Sequence, residues 1–167
     1  MKTNLFSKTT TLAALAGALL ALPAARISAQ TIVDEIEVLR GSLKADRKVV
    51  IAEGMKLTDK ESGVFWPIYR DYRNEMDKVN DGLVKLVLEY ADDYPDVPAE
   101  RAKKMLTAYL ALEKKQVSVR ATYLKKFGKV LPATKTLRLA QLENRLDLAV
   151  RVQLAARIPL MPTANSK

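Results

Sequence analysis

The sequence contains no cysteine and no histidine, and these two absences exclude several kinds of chemistry. Without cysteine the chain forms no disulfide, so packing alone has to stabilise its folded state. Without histidine it lacks the commonest acid–base residue and the commonest metal ligand. Catalytic triads and Cys–His dyads therefore cannot be built. The sequence predicts a protein that is not an enzyme and that binds no metal and no cofactor.

Two weaker patterns leave an alternative open. Ser118 follows Lys114 by four residues, so a helix would place both on one face, as a Ser–Lys pair requires. Lysine-rich helices produce this spacing by chance, and no oxyanion-hole loop accompanies it. Asp92, Asp93 and Asp96 could hold calcium, but they lack the loop pattern with its glycine and final glutamate. We interpret them as a solvated turn.

Glycine and proline are scarce, at six and seven residues, and they fall between stretches of helical periodicity. No stretch shows the sustained alternation of apolar and polar residues that a half-buried strand would show. The sequence therefore predicts an all-α fold, with four amphipathic helices and short connections in a helical hairpin array or bundle.

The one long apolar run lies near the N-terminus. A basic start is followed by the uncharged stretch Thr11–Leu22, and Ile27-Ser28-Ala29 then has the pattern of a signal-peptidase site. The alternative, an uncleaved anchor, is disfavoured because the run is shorter than the ~18 residues that span a bilayer.

The resulting domain organisation has three parts. We predict a signal peptide over residues 1–29, a single helical domain over 30–158 and a flexible tail over 159–167. A cleaved signal peptide would place the mature protein in the periplasm, with no stable membrane insertion and no nucleic acid as partner.

Charge is unevenly distributed along the predicted mature chain. Residues 30–97 carry a net charge of −5, whereas residues 98–157 carry +10. Such a division suggests complementary docking within a fold or a homodimer, or a basic face that attracts acidic polypeptides or anionic lipid. Solvated helix faces account for most of these charges.

The first two helices are predicted from apolar spacing. Helix one extends from about Ile32 to Ala52, with Gly54 as its C-cap. Helix two begins with Leu57-Thr58, where Thr58 and Glu61 have the spacing of a capping box. Its apolar positions recur at intervals of three and four: Phe65, Ile68, Tyr72, Met76, Val79, Leu83, Leu86 and Tyr90.

Pro67 interrupts this pattern. A proline inside a helix removes a hydrogen bond and collides with the carbonyl group four residues earlier, which here belongs to Gly63. We expect a kink at Pro67, not the end of the helix.

The last two helices each start near a proline. Helix three opens at Pro98, and its predicted buried side comprises Leu106, Tyr109, Leu110, Val117, Leu124, Phe127 and Val130. Helix four opens at Pro132 and stops by Ile158-Pro159, and its predicted apolar stripe comprises Leu139, Leu142, Leu146, Ala149 and Val152.

The segment Leu57-Thr58-Asp59-Lys60-Glu61, followed by Phe65-Trp66-Pro67-Ile68-Tyr69, resembles the Leu-Thr-x-x-Gln motif of the Spy/CpxP family of exported helical proteins. A second, degraded motif begins at Leu131, with Pro132 in place of threonine and Lys135 at the glutamine position. Gln141, Glu143 and Asn144, with the ending Ile158-Pro159-Leu160, also resemble a group of uncharacterised exported proteins.

The resemblance implies a curved helical scaffold, often an antiparallel dimer, that holds unfolded clients without ATP. CpxP-like relatives instead restrain a membrane sensor of envelope stress, which is the alternative function. Zinc-responsive relatives use histidines, and this chain has none. The candidate residues for binding clients or a partner are Phe65, Trp66, Tyr69, Tyr72, Lys114, Arg120, Lys125 and Lys126.

Overall fold

The structure is a computed structural model and describes residues 47–156 and 158–163. These residues form four helices: α1, described over residues 47–55, α2 (Asp59–Asp93), α3 (Ala99–Phe127) and α4 (Ala133–Ala155). Strands are absent from these two ranges, and the predicted all-α fold is confirmed. The predicted signal peptide and most of predicted helix one lie outside the described residues.

The end of α1 differs from the prediction. The helix continues through Gly54 to Met55, and Lys56 then adopts a positive φ of 45°. The C-cap prediction for Gly54 was therefore wrong. Gly54 serves close packing instead, because a Cβ atom there would lie 2.8 Å from Leu142 Cδ1 of α4.

The start of α2 confirms the predicted capping box. The Thr58 hydroxyl accepts from the Glu61 amide at 3.3 Å, and Glu61 Oε2 accepts from the Thr58 amide at 2.8 Å. The helix continues through Pro67, so this proline does not end it. The bend at Pro67 stays a prediction.

An antiparallel hairpin of α2 and α3 is the frame of the fold. Near the start of α2, the Phe65 ring lies 5.2 Å from that of Phe127, at the end of α3. At the opposite end, Asp93 pairs with Arg101 at 2.6 Å. A short connection joins Asp93 to Arg101, and the two helices are in contact at both ends of the hairpin.

The register of α3 differs from the prediction. Its buried residues are Gln116, Val119, Tyr123 and Phe127. Of the predicted buried side, only Phe127 is fully buried and Leu124 is half-buried, whereas five residues are exposed: Leu106, Tyr109, Leu110, Val117 and Val130. The reason is that α3 carries two apolar stripes, and α2 covers the one that contains Tyr123 and Phe127.

Helix α4 closes the core at the end of the hairpin where α2 begins. Leu139 is buried there together with Ile51 and Met55 of α1 and Phe127 of α3. The second half of the predicted α4 stripe was wrong, because Ala149 and Val152 are exposed. The charged residue Glu143, one turn after Leu139, is buried, although it was not part of the predicted stripe.

Candidate functional site

A buried cluster of charged and phenolic side chains joins all four helices around Glu143, which is 2% exposed. We call it the Glu143 cluster. Its members are Arg47 of α1, Tyr69, Tyr72 and Arg73 of α2, Arg120 of α3, and Glu143 and Asp147 of α4.

The hydrogen bonds of Glu143 come from two helices. Arg47 Nη1 donates to Glu143 Oε2 at 2.7 Å, and the Tyr69 hydroxyl donates to Oε1 at 2.7 Å. Arg73 and the Tyr72 hydroxyl approach Oε2 at 3.3 and 3.5 Å. A buried carboxylate needs this many donors because desolvation otherwise disfavours its charge.

Asp147 forms the second acidic centre of the cluster. Arg47 Nη2 donates to Asp147 Oδ1 at 2.9 Å, so one guanidinium bridges both carboxylates. Arg120 Nη2 donates to Asp147 Oδ2 at 2.6 Å from the side of α3. Planar guanidinium groups suit such bridging because several N–H donors point in fixed directions.

The surroundings shift the proton affinities of the cluster. Burial, followed by the nearby charge of Glu143, raises the pKa of Tyr72 to about 12 and raises the pKa of Tyr69 as well. Burial by itself would lower the pKa of Arg47, but the charges of Glu143 and Asp147 outweigh it and the pKa is raised. The cluster therefore keeps neutral tyrosines and charged arginines around its carboxylates.

The Glu143 cluster has little space for a ligand. The cavity beside it is about 10 Å³ and is lined by residues that include Tyr72, Arg120 and Glu143. Small-molecule sites usually occupy roughly 300–1,000 Å³. We therefore assign the cluster to holding α1 and α4 in place and not to binding a substrate.

A second polar contact brings the two motif-like segments together. Lys135 Nζ donates to Glu61 Oε2 at 2.5 Å and to the carbonyl oxygen of Lys56 at 3.2 Å. Lys135 holds the glutamine position of the degraded second motif, and Glu61 holds that of the first. The hydrogen bond from Lys135 is the main reason that the pKa of Glu61 is lowered. This contact joins α4 to the start of α2.

An open apolar groove of about 240 Å³ lies near the opposite end of the α2–α3 hairpin, and we call it the far-end groove. It is lined by Leu86, Val87, Tyr90, Met105, Leu106, Tyr109 and Ile158. Ile158 follows α4 and belongs to the non-helical segment near the C-terminus. The Tyr90 hydroxyl donates a hydrogen bond of 2.9 Å to the carbonyl oxygen of Pro159. An irregular segment of the chain itself thus forms part of the wall of the groove.

The aromatic candidates from the sequence lie mostly in the interior. Phe65, Tyr69 and Tyr72 are buried, and they contact one another and the rings of α3. Trp66 is half-buried against the core, and Lys48 lies 5.8 Å from the centre of its ring. These aromatic side chains do not form an exposed binding face.

The basic candidates are separated from the aromatic ones. Lys114, Lys125 and Lys126 are exposed along α3, and Lys126 lies over the Tyr123 ring at 4.2 Å. Arg120 is half-buried and belongs to the Glu143 cluster. The two groups of candidates therefore do not form one surface.

The far-end groove was not predicted from the sequence, because Leu106 and Tyr109 were expected on the buried side of α3, although they are 60% and 42% exposed. No charged side chain was expected in the interior either. A carboxylate at position 143, between the apolar positions 142 and 146, was the signal that could have indicated the buried cluster.

Within residues 47–156 and 158–163, no group of three or more Asp or Glu residues could hold a metal ion. None of the helices in the described part of the chain is both long and apolar enough to cross a bilayer. Comparison with protein-family models, curated proteins and solved structures finds no match to this chain.

Proposed function

We propose that this chain is an exported periplasmic protein that binds other polypeptides, acting as an ATP-independent holding chaperone for unfolded envelope proteins. The observation that supports this proposal is the far-end groove, whose wall includes a non-helical segment of the chain itself. The contact involves one apolar side chain, Ile158, and one backbone carbonyl group, that of Pro159.

Both features of this contact occur in any unfolded polypeptide. An aliphatic side chain lies beside an apolar surface, and a tyrosine hydroxyl donates to a main-chain oxygen. Neither interaction requires a particular sequence, since the hydrophobic effect is non-directional and every residue has a carbonyl group. A groove of this kind suits a holding protein, because a client segment would make the same two kinds of contact that Ile158 and Pro159 make at its wall.

The test compares two leucines that are equally exposed at opposite ends of the bundle. Leu106 lines the far-end groove and is 60% exposed, whereas Leu137, near the start of α4, is 61% exposed. Leu106→Glu places a charge in the groove, which should weaken binding of an unfolded client about tenfold or more, equivalent to ~1.4 kcal/mol. Leu137→Glu should leave binding unchanged.

The measurement is suppression of aggregation of a chemically denatured client by the purified protein at low molar ratio. Equal loss in the two variants, or no suppression by the original protein, would contradict the proposal. The regulatory alternative, a partner of an envelope-stress membrane sensor, predicts a different pull-down result. It requires one discrete membrane protein on the groove, which Leu106→Glu would release, and no suppression of aggregation.

A further inference from the structure

Three pairs of adjacent lysines recur along α3 at intervals of eleven residues: Lys103-Lys104, Lys114-Lys115 and Lys125-Lys126. All six side chains are exposed, and we call them the lysine ladder. Eleven residues make about three helical turns, so successive pairs point in directions about 20° apart and stand ~16 Å from one another. The ladder therefore forms two nearly parallel rows of three lysines, about 100° apart around the helix and each about 33 Å long.

The two ends of the ladder have local partners. Lys103 pairs with Glu100 at 2.8 Å, and Lys126 lies over the Tyr123 ring. Glu113, the only other acid in α3, pairs instead with Arg151 of α4 at 3.0 Å.

The rest of the ladder makes no close ion pair within the part of the chain that is described, although Glu75 of α2 is near enough to Lys115 to have its pKa lowered, chiefly by its hydrogen bond with Lys78 and to a lesser degree by Lys115. Its four other lysines make no ion pair there, and they are Lys104, Lys114, Lys115 and Lys125. The positive charge of the ladder is thus directed to the outside of the bundle.

Exposed apolar side chains lie beside the ladder. Leu106, Leu110 and Val117 are 60%, 58% and 63% exposed. Leu106 and Val117 are also eleven residues apart, and they lie about 60° around the helix from Lys103 and Lys114. The outer side of α3 therefore presents an apolar strip beside a parallel row of positive charges.

We propose that the lysine ladder docks α3 lengthwise on the anionic surface of a lipid bilayer. A planar surface can contact all three pairs at once, because both rows run along the outside of one helix and long lysine side chains span the angle between them. Lysines beside apolar residues are the pattern of helices that lie in the interface, with apolar side chains at the headgroup boundary and ammonium groups on the phosphates. An acidic polypeptide would require a groove to enclose it, and the ladder stands on a ridge.

Binding of the intact protein to vesicles tests this proposal. One variant combines Lys103→Gln, Lys114→Gln and Lys125→Gln. The matched control combines Lys60→Gln, Lys78→Gln and Lys85→Gln on α2, which removes the same charge from exposed positions. Sedimentation with vesicles of phosphatidylcholine and phosphatidylglycerol measures the partition coefficient, and circular dichroism verifies that both variants are folded.

The ladder variant should lose roughly a hundredfold in partition, since each lysine near an anionic surface contributes a factor of about five. The partition coefficient of the control should stay within a few-fold of that of the original protein. Added salt should release the original protein and both variants from the vesicles. Equal losses in both variants would show that only net charge matters and would overturn the proposal. Binding to soluble polyglutamate without binding to the vesicles would also overturn it, in favour of an acidic polypeptide. The result is independent of the proposed holding function, because vesicle binding is measured without any client.

Discussion

Glu143 is the residue whose environment is most demanding, since its carboxylate is buried and accepts hydrogen bonds from α1 and α2. Removing one partner of a buried ion pair leaves uncompensated charges. Glu143→Ala would leave Arg47 with Asp147 and Arg73 with Asp77, and it would remove the acceptor of the buried Tyr69 hydroxyl, so we expect the free energy of unfolding to fall by about 3–5 kcal/mol. Urea denaturation measures this loss.

The control for that variant is Glu100→Ala on α3. Glu100 is exposed and pairs with the exposed Lys103, so its removal should change stability by less than about 1 kcal/mol. Similar effects of the two substitutions would show that the Glu143 cluster contributes no more than a surface ion pair.

The buried tyrosines predict a loss of stability in alkali. Below pH 10 the phenols of Tyr69 and Tyr72 are neutral in both the folded and the unfolded protein, so the stability is fully present there. Above pH 10 the unfolded state loses these protons first, because folding raises both pKa values, that of Tyr72 to about 12. Each tyrosine then lowers the free energy of unfolding by about 1.4 kcal/mol per pH unit.

Urea denaturation at pH 9 and at pH 11 measures this dependence. The double variant Tyr69→Phe, Tyr72→Phe should be less stable at pH 9, because Glu143 loses two donors, but it should lose much less stability between the two pH values. An equal loss in the original protein and in the double variant would argue against these tyrosines as the cause.

Among the helices, α2 combines a continuous α-helix with a proline in its interior. Pro67 is exposed, and a proline at such a position costs ~3 kcal/mol relative to alanine. We expect Pro67→Ala to raise the free energy of unfolding by up to about 3 kcal/mol, as measured by urea denaturation. Lys60→Ala, at an exposed position of the same helix, should change it by less than about 0.5 kcal/mol.

The same variant tests whether Pro67 serves binding. If a bend at Pro67 shapes the binding surface, Pro67→Ala should weaken suppression of client aggregation while the protein stays folded. Higher stability with unchanged binding would make Pro67 a packing feature only. Tyr69, a candidate binding residue two positions after Pro67, is buried and donates to Glu143, so it does not belong to such a surface.

At the scale of the whole molecule, the bundle has two different ends. At one end Lys135 of α4 joins the start of α2 through Glu61. At the other end Ile158 lines the far-end groove. Acids of the acidic half pair with bases of the basic half in Glu61–Lys135 and Asp93–Arg101, whereas the buried pairs Arg47–Glu143 and Arg73–Glu143 have the opposite sense. Most of the lysine ladder takes no part in such pairing, which is why we propose an external anionic partner for it.

The sequence by itself determined α2, α3 and α4 and the positions at which they begin, because periodicity and capping are local properties. The Thr58–Glu61 capping box needs only residues three positions apart, and the prolines before α3 and α4 act within one turn. The exposed positions of Lys114, Lys125 and Lys126 could also be predicted, since unpaired lysines are rarely buried.

Only the tertiary structure decided which side of α3 faces the core, whereas the buried positions Phe65, Tyr72, Met76 and Val79 of α2 follow the predicted stripe. Helix α3 has two apolar stripes. The aromatic residues of α2 pack against the stripe that contains Tyr123 and Phe127, and Leu106 and Val117 of the other stripe are therefore exposed. The pairing of Arg47 with Glu143, 96 residues apart, likewise follows from the packing of α1 against α4. Burial of a charge depends on partners that are distant in sequence, and for this reason local patterns of hydrophobicity could not reveal it.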